Sequence, residues 1–308
     1  MHFVKMHGAG NDYIYVDCTQ GGVAEPERVA RIVSDRHFGI GGDGLILIGR
    51  ASAPGADFRM DMYNQDGSPG LMCGNGIRCV AKFVHDRGLT AKTRLAVETL
   101  SGTKQLDLHL EGGKVASVTV DMGKPILEPD AVPVLLAGAD VGEAARAHAG
   151  GRPVPEVVAG LSGSAVVDRE ISVLGKAYRI TCVSMGNPHA VVFADEPVGG
   201  LDLERIGPAF ERHGIFPERV NTEFVNAEGR DSLTMRVWER GAGETLACGT
   251  GTCAVLVAAV LCGRAGCEAS VVTRGGTMRN RWDAATGSVF MTGPAATVFE
   301  GDIDIIDI

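Results

Sequence analysis

The sequence DMYNQDGSPGLMCGNG at residues 61–76 aligns without a gap with RVWERGAGETLACGTG at residues 236–251. The two stretches are offset by 175 residues, and both contain a cysteine followed by Gly-x-Gly. A second pair, GNDYIYV at 10–16 and GNPHAVV at 186–192, has nearly the same offset, 176 residues. Two matches at almost one offset indicate a duplication, so the chain is predicted to fold as two copies of one unit.

Both copies show the same order of secondary-structure signals. An apolar strand, Phe58–Tyr63 or Leu233–Trp238, leads into a Gly-rich turn and then into Cys-Gly-x-Gly. The residues that follow predict a helix over Asn75–Arg87 and a second helix, apolar on all sides and therefore buried, over Thr252–Cys262. Many short strands and one long helix per half predict an α+β fold. We expect two pseudo-symmetric domains, each a curved antiparallel-rich sheet wrapped around a central buried helix.

The domain boundaries are predicted from the repeat and from composition. The N-terminal domain is expected to span residues 1–127, completed by a C-terminal strand at 295–308, and the C-terminal domain to span residues 166–294. The segment between them, 128–165, is rich in Ala, Gly and Pro. This composition predicts a linker with a peripheral insertion and one short helix near Val141–His148.

The overall composition disfavours several classes of protein. The formal net charge is −9 and aromatic residues make up 5% of the chain, which argues against a nucleic-acid or anionic-membrane partner. The first residues lack the apolar core of a secretory signal, and no apolar run approaches the length of a membrane span, so we expect a cytoplasmic protein. The eight cysteines contain no C-x-x-C pair. This disfavours a zinc site and favours free thiols.

The duplicated cysteines point to acid–base chemistry. Cys73 and Cys248 each precede a predicted helix, whose free N–H groups and positive dipole end stabilise a thiolate and can hold an anion. If the two Gly-rich turns meet about a pseudo-twofold axis, a carboxylate is held between two opposed sulfur atoms. One thiolate can then remove a Cα proton while the other thiol delivers a proton to the opposite face. That is the chemistry of a two-base racemase or epimerase.

Six motifs, spread in order along the chain, carry a resemblance to a known family. They are Met6-His-Gly-Ala-Gly-Asn11-Asp, Asn64-x-Asp-Gly-Ser, Met72-Cys-Gly-Asn-Gly-Ile-Arg78, Ser184-Met-Gly-Asn187-Pro-His189, Val220-Asn221-Thr-Glu-Phe-Val and Glu239-Arg-Gly-Ala-Gly-Glu-Thr-x-Ala-Cys248-Gly-Thr-Gly. With these motifs the chain resembles diaminopimelate epimerase. The resemblance implies that family's fold and the interconversion of LL- and meso-2,6-diaminopimelate, a step of lysine and peptidoglycan precursor synthesis. It also implies a homodimer that needs neither pyridoxal phosphate nor a metal.

The resemblance also assigns roles to individual residues. Cys73 and Cys248 would act as acid and base and would exchange these roles with the direction of the reaction. His189 and Glu239 would flank the sulfur atoms and tune their proton exchange. The groups implied in binding the amino-acid substrate are the backbone amides of Gly74, Asn75, Gly249 and Thr250 and the side chains of Asn11, Asn64, Asn187, Asn221, Glu239 and Arg240.

Two other functions remain open at this stage. A related two-thiol racemase of proline, hydroxyproline or histidine would use the same chemistry. Proline-type enzymes, however, typically carry His where Asn75 stands and lack Glu-Arg-Gly-Ala-Gly-Glu before the second cysteine. A redox-sensing or ligand-binding module would instead use Cys73 and Cys248 as a reversible disulfide. One departure from the family pattern bears on the substrate: Gly44 stands where many members carry Gln, so a side-chain contact would be missing there.

Overall fold

The computed structural model describes residues 1–305, which form two compact units. The first unit contains Met1–Asp121 together with the chain from Thr292 onward, and the second contains Met122–Met291. The segment 128–165, which we expected to be a linker with an insertion, is part of the second unit.

The first unit is a mixed sheet that encloses a helix. Its elements up to Asp121 are β1 (His2–Gly8), β2 (Asn11–Asp17), α1 (Pro26–Ser34), β3 (Gly44–Arg50), β4 (Phe58–Asn64), β5 (Pro69–Gly70), α2 (Gly74–Asp86), β6 (Arg94–Thr99), β7 (Gly102–Glu111) and β8 (Lys114–Asp121). Strand β1 pairs antiparallel with β2, β2 runs parallel to β3, and β3 pairs antiparallel with β4. Strand β4 runs parallel to β6, and β6, β7 and β8 form an antiparallel meander. Helix α2 packs against β1, β2, β7 and β8, and ten of its 13 residues are buried.

The second unit repeats this arrangement. Its elements are β9 (Ala139–Asp140), α3 (Val141–His148), α4 (Glu156–Ala159), β10 (Ser164–Ala165), β11 (Arg169–Val173), β12 (Lys176–Ser184), β13 (Pro188–Phe193), α5 (Leu203–Glu211), β14 (Asn221–Ala227), β15 (Ser232–Glu239), β16 (Gly243–Thr245), α6 (Gly249–Leu261), β17 (Glu268–Thr273) and β18 (Gly276–Trp282), with short 3-10 turns at Pro129–Ala131 and Val198–Gly200. The next strand, β19 (Val289–Pro294), begins in the second unit and ends in the first. Strand β12 pairs antiparallel with β13, β13 runs parallel to β14, and β14 pairs antiparallel with β15. Strand β15 runs parallel to β17, which pairs antiparallel with β18.

Helix α6 is the central helix of the second unit. It packs against β12, β13, β14, β17 and β18, and 12 of its 13 residues are buried. Burial on all sides explains why its sequence has no polar face. Despite this apolar character, neither α6 nor any other helix among residues 1–305 is long enough to span a bilayer.

The last strand returns to the first unit. This strand, β20 (Ala296–Asp302), pairs antiparallel with β1, just as β11 pairs antiparallel with β12 in the second unit. Of the C-terminal strand expected at 295–308, residues 306–308 lie outside the described residues. The repeated topology, with one buried helix in each unit, confirms the predicted α+β fold with two pseudo-symmetric domains.

Both central helices begin at the residue after the repeated cysteine. Helix α2 begins at Gly74 and α6 at Gly249, one and three residues earlier than predicted. Glycine has a low helix propensity, so the sequence pattern placed the starts too late, and tertiary packing makes these first turns helical. Each helix is followed by a glycine stop: Gly88 and Gly263 have positive φ angles of 74° and 63°.

Each unit also carries a shorter helix that the sequence pattern did not reveal. Helix α1 starts at Pro26 and buries Val29, while α5 starts after Asp202, which caps it, and contains Pro208. Both have nine residues, too few turns for a clear period in the sequence. The prediction of one long helix per half is confirmed, but it did not include these two shorter helices. The short helix predicted near Val141–His148 is confirmed as α3.

Gly263→Ala is expected to destabilise the protein more than Gly88→Ala. Both positions have the left-handed backbone conformation, which costs a residue with a side chain about 1 kcal/mol. At Gly88 an added Cβ would meet no atom within 4 Å, whereas at Gly263 it would lie 2.2 Å from the carbonyl oxygen of His148, at the end of α3. We expect the free energy of unfolding to fall by about 1 kcal/mol in Gly88→Ala and by about 3 kcal/mol in Gly263→Ala. Urea unfolding followed by circular dichroism measures both losses. Equal losses would contradict the packing of α3 against the end of α6.

Candidate active site

Cys73 and Cys248 occupy the same place in the two units, the N-cap of the central helix. Both have extended backbone, with φ and ψ of −127° and 118° at Cys73 and −112° and 114° at Cys248. The Sγ of Cys73 accepts a hydrogen bond from the backbone N–H of Gly76 at 3.3 Å. An N-cap side chain faces the N–H groups of the helix's first turn. In the two helices the first of these groups belong to Gly74, Asn75, Gly249 and Thr250.

The first unit joins Cys73 to Asn11. The Sγ of Cys73 donates to Oδ1 of Asn11 at 3.0 Å, and Nδ2 of Asn11 donates to Oδ2 of Asp43 at 2.6 Å. Asp43 also pairs with Arg36 at 2.9 Å. Because a carboxylate only accepts hydrogen bonds, Asp43 fixes which end of the Asn11 amide faces the sulfur. Sequence analysis did not assign Asp43, although a lone acidic residue in a Gly-rich segment is a signal that could have found it.

Tyr13 is a second neighbour of Cys73 that the sequence did not single out. It is the residue of the first repeat that aligns with His189 of the second. Burial raises the pKa of Tyr13 well above its usual value, and the nearby Cys73 raises it further. Its hydroxyl therefore stays protonated beside the thiol.

A left-handed glycine precedes the repeated asparagine in both units. Gly10 has φ of 84° before Asn11, and Gly186 has φ of 93° before Asn187. Glycine adopts positive φ without the steric cost that a side chain would add. The Gly-Asn pair of the repeat thus keeps the same turn at the entry to β2 and β13.

A buried histidine–glutamate contact forms the centre of the second unit's site. Nδ1 of His189 lies 2.7 Å from Oε1 of Glu223, and Nε2 of His189 lies 3.1 Å from Oδ1 of Asn187. Neither His189 nor Glu223 has any exposed side-chain surface. Sequence analysis selected His189 and Asn187 but missed Glu223. Glu223 stands directly before Phe224 and Val225 in the buried strand β14, and a carboxyl in such a strand is unusual enough to have been a signal.

Cys248 lies beside Glu239 in the second unit. Its Sγ is 3.4 Å from Oγ1 of Thr250, and the thiol also hydrogen-bonds to Glu239, which accepts a bond from Thr245. Burial raises the pKa of Cys248 well above its usual value, and the charges of Glu239 and Glu223 raise it further. Burial also raises the pKa of Glu239.

The acidic thiol that we expected from the helix dipole is therefore not found at Cys248. Desolvation and two neighbouring carboxyl groups outweigh the N–H groups of the first turn, which favour the thiolate. At neutral pH Cys248 is a protonated thiol, ready to donate rather than accept a proton.

Asn221 and Arg240 are brought together by the loop after β15. Oδ1 of Asn221 accepts from the backbone N–H of Arg240 at 2.7 Å, and its Nδ2 donates to the carbonyl oxygen of Pro188 at 3.2 Å. Asn221 is buried, whereas Arg240 is exposed and its Nη1 donates to the carbonyl oxygen of Glu218 at 2.9 Å. Asn221 thus holds the loop, and Arg240 presents a guanidinium at the surface.

Asn64 and Asn75 make contacts within the first unit. Nδ2 of Asn64, at the end of β4, donates to Oγ of Ser68 at 3.0 Å. Oδ1 of the buried Asn75 accepts from Nη2 of the buried Arg78 at 2.9 Å. The structure therefore brings Asn11 to Cys73, whereas the side chain of Asn64 bonds to Ser68 in the turn that follows β4.

Gly44 has a steric reason to be glycine. A Cβ added at this position would lie 2.1 Å from the carbonyl oxygen of Tyr63 on the neighbouring strand β4. This backbone has no room for the Gln that the family pattern led us to look for. The difference at residue 44 is thus built into the pairing of β3 with β4.

The other cysteines do not form a second centre in the part of the chain described. All eight cysteines are free of disulfides. Of the six other than Cys73 and Cys248, four are buried in the cores of the two units, whereas Cys18 and Cys267 are only partly buried. The buried four are Cys79, Cys182, Cys253 and Cys262. Residues 1–305 contain no group of three or more His, Cys, Asp and Glu placed to hold a metal ion.

Comparison with known proteins relates these features to a family. The family model for diaminopimelate epimerase matches residues 3–128 and 181–298. The diaminopimelate epimerase of Agathobacter rectalis is 50% identical over 307 residues, which cover 99% of this chain and 100% of that protein. The diaminopimelate epimerase of Methanococcus maripaludis strain S2 is 49% identical over 305 residues, again 99% and 100% of the two chains.

A solved structure shares the fold. The crystal structure of a probable proline racemase from Agrobacterium radiobacter K84 superposes with a TM-score of 0.66 at 15% identity, over 99% of this chain and 93% of that one. The two matched segments of the family model contain every site residue selected from the sequence. The chain belongs to the diaminopimelate epimerase family.

Proposed function

We propose that this protein interconverts LL- and meso-2,6-diaminopimelate in lysine and peptidoglycan precursor biosynthesis, without a cofactor. The observation that carries the proposal is the matched pair of thiols: Cys73 and Cys248 cap the central helices of two units with the same topology. The identity of about half of all residues to diaminopimelate epimerases, over the whole chain, supports the choice of substrate.

Cys73 and Cys248 act on opposite faces of the reacting Cα. One thiolate takes the Cα proton, which breaks the C–H bond and forms S–H, and the other thiol gives its proton to the opposite face. The negative charge thereby moves from one sulfur to the other, and the reverse reaction exchanges the two roles. The protonated Cys248 is suited to be the acid in the direction in which Cys73 is the base.

The N–H groups of the two helix starts hold the reacting carboxylate. Removal of the Cα proton places negative charge on that carboxylate, and fixed N–H donors at helix N-termini stabilise such charge without reorganisation. In this proposal the donors are the backbone amides of Gly74, Asn75, Gly249 and Thr250.

The remaining site residues recognise the substrate or tune the thiols. The exposed guanidinium of Arg240 is suited to a carboxylate, which it can bind through two parallel hydrogen bonds. His189 and Glu239 adjust proton exchange, Glu239 through its contact with Cys248. The asparagines assigned to substrate recognition are Asn11, Asn64, Asn187 and Asn221.

The alternative of a proline, hydroxyproline or histidine racemase has less support. The probable proline racemase shares only 15% of its residues with this chain, against 50% for the diaminopimelate epimerase of A. rectalis. Asn75, the position at which we noted His in proline-type enzymes, accepts a hydrogen bond from the buried Arg78. The family relationship is to isomerases, which also leaves a purely redox-sensing role without support.

The protein acts in this proposal as a cytoplasmic homodimer. Strand β20 leaves Val298 and Phe299 about half exposed, and an apolar pair on a strand suits contact with a second copy. The eight free thiols suit a reducing compartment.

Reduced enzyme incubated with LL-diaminopimelate in deuterated water should incorporate one deuteron at a single Cα of the meso product. The proton delivered by the second thiol exchanges with solvent, whereas the original Cα proton leaves on the first. Mass spectrometry and proton NMR measure the label, with proline, trans-4-hydroxyproline and histidine as comparison substrates. Exchange confined to one of these three amino acids would contradict the proposed substrate.

Cys73→Ala and Cys248→Ala should each lower kcat about 10²- to 10⁴-fold, because each removes one of the two proton-transfer groups. Cys18→Ala and Cys267→Ala are matched controls, one in each unit, and should retain wild-type turnover. An enzyme-coupled assay of meso-diaminopimelate formation measures kcat for all four variants. Wild-type turnover in either Cys73→Ala or Cys248→Ala would rule out the two-base scheme.

A further inference from the structure

The buried carboxyl of Glu223 has no part in the function proposed above. Glu223 lies in β14 with no exposed side-chain surface, and its Oε1 is 2.7 Å from Nδ1 of His189. Its Oε2 has no hydrogen-bond partner among the described residues. A buried carboxyl with one unbonded oxygen lowers the stability of the folded protein. Its presence in the core therefore needs a reason other than stability.

The first unit has an isoleucine, Ile46, at the matching place. The strand registers put Ile46 and Glu223 at the same step of β3 and β14. A Cβ added to Gly76 would lie 2.8 Å from Cδ1 of Ile46, and one added to Gly251 would lie 2.6 Å from Oε1 of Glu223. Both side chains thus fill the space under the first turn of the central helix. An apolar residue is sufficient for this packing, so packing does not explain the carboxyl.

The contacts of His189 show what the carboxyl does. Nδ1 faces Oε1 of Glu223, and Nε2 faces Oδ1 of Asn187 at 3.1 Å. Both neighbours are oxygen atoms, so each contact holds one hydrogen, and with Glu223 ionised both of these hydrogens belong to the ring nitrogens. The doubly protonated ring is positively charged, and a buried positive charge requires a partner of opposite sign. Glu223 is that partner.

We propose that Glu223 is a positioning residue, which keeps His189 doubly protonated and thereby fixes the amide of Asn187 with its oxygen toward the ring and its NH2 group toward the substrate. The role of Asn187 in binding substrate rests on the function proposed above. In the first unit the corresponding amide is turned by a different carboxylate, since Asp43 accepts from Nδ2 of Asn11 and leaves Oδ1 to the thiol. Each unit thus uses one acid to orient one asparagine, directly in the first and through an imidazole in the second.

The charge of Glu223 also acts on its other neighbours. The ionisable groups that interact with it are His189 on β13, Glu239 on β15 and Cys248 at the start of α6. Glu223 raises the pKa of Cys248, in addition to the larger effect of burial. Loss of its charge should therefore make the Cys248 thiol easier to ionise.

Glu223→Gln in the full-length protein tests the proposal, since it keeps the shape of the side chain but removes its charge. Two-bond proton–nitrogen NMR spectra of the histidine rings, with His189→Gln to assign the signal, report the protonation of His189 directly. We expect a doubly protonated ring at pH 7.5 in the wild type and a neutral ring in Glu223→Gln. A neutral ring in the wild type, or the same ring state in both proteins, would overturn the proposal.

The kinetic expectation is a change in substrate binding. In Glu223→Gln the side-chain oxygen at residue 223 accepts from Nδ1–H, so the neutral ring accepts at Nε2 and the Asn187 amide turns to present oxygen instead of NH2 to the substrate. We expect KM for diaminopimelate to rise about tenfold, the loss of one charge-assisted hydrogen bond, with a smaller change in kcat. Glu223→Asp, which restores the charge, should recover part of the loss. Glu228→Gln removes a carboxyl just beyond the end of β14 and should leave KM and kcat unchanged.

The thiol of Cys248 supplies a readout that does not need turnover. Alkylation of Cys248 by iodoacetamide, followed by peptide mass spectrometry as pH rises, should have its midpoint at lower pH in Glu223→Gln than in the wild type. An unchanged midpoint together with an unchanged KM would overturn the proposal. If the wild type instead fails to turn over diaminopimelate, the proposed function fails, and the NMR and alkylation results still decide the role of Glu223. Glu223→Ile, which copies the first unit, tests the same two readouts if Glu223→Gln does not fold.

Discussion

A thiol at the start of a buried helix is the constraint on which the rest of this structure depends. Helices α2 and α6 pack against strands of their own unit, and the first N–H groups of each helix lie at the capping cysteine. The Gly-x-Gly that follows each cysteine lets the neighbouring strand approach the first turn closely. At Gly76 and Gly251 an added Cβ would lie within 3 Å of a side chain from that strand.

The two units keep this geometry but differ in the charges around it. Cys73 donates to an asparagine held by Asp43, whereas Cys248 lies among Glu239, Glu223 and a histidine. An epimerase must remove a proton from one face and deliver a proton to the other, so its two thiols need not have equal acidity at rest. Duplication supplied two equivalent positions, and substitutions on single strands then gave them different chemistry.

Sequence patterns predicted the two central helices and the strand before each of them because these elements recur at one offset. They missed α1 and α5, which are too short to show a clear period, and they placed the start of α6 three residues late because glycine is a weak helix former. The patterns also missed Asp43 and Glu223. Neither residue aligns with an identical residue in the other repeat. Each acts through a contact with a residue more than 30 positions away in the sequence.

The sequence by itself determined the duplication, the pairing of Cys73 with Cys248 and the family, because these depend only on residue types at fixed spacing. The tertiary structure alone decided the protonation of Cys248. A helix N-terminus is a local feature that favours the thiolate, but desolvation and the nearby carboxyl groups of Glu239 and Glu223 come from burial and from β14 and β15. Their effect depends on distances in the folded chain, and the spacing of residues along the sequence does not give those distances.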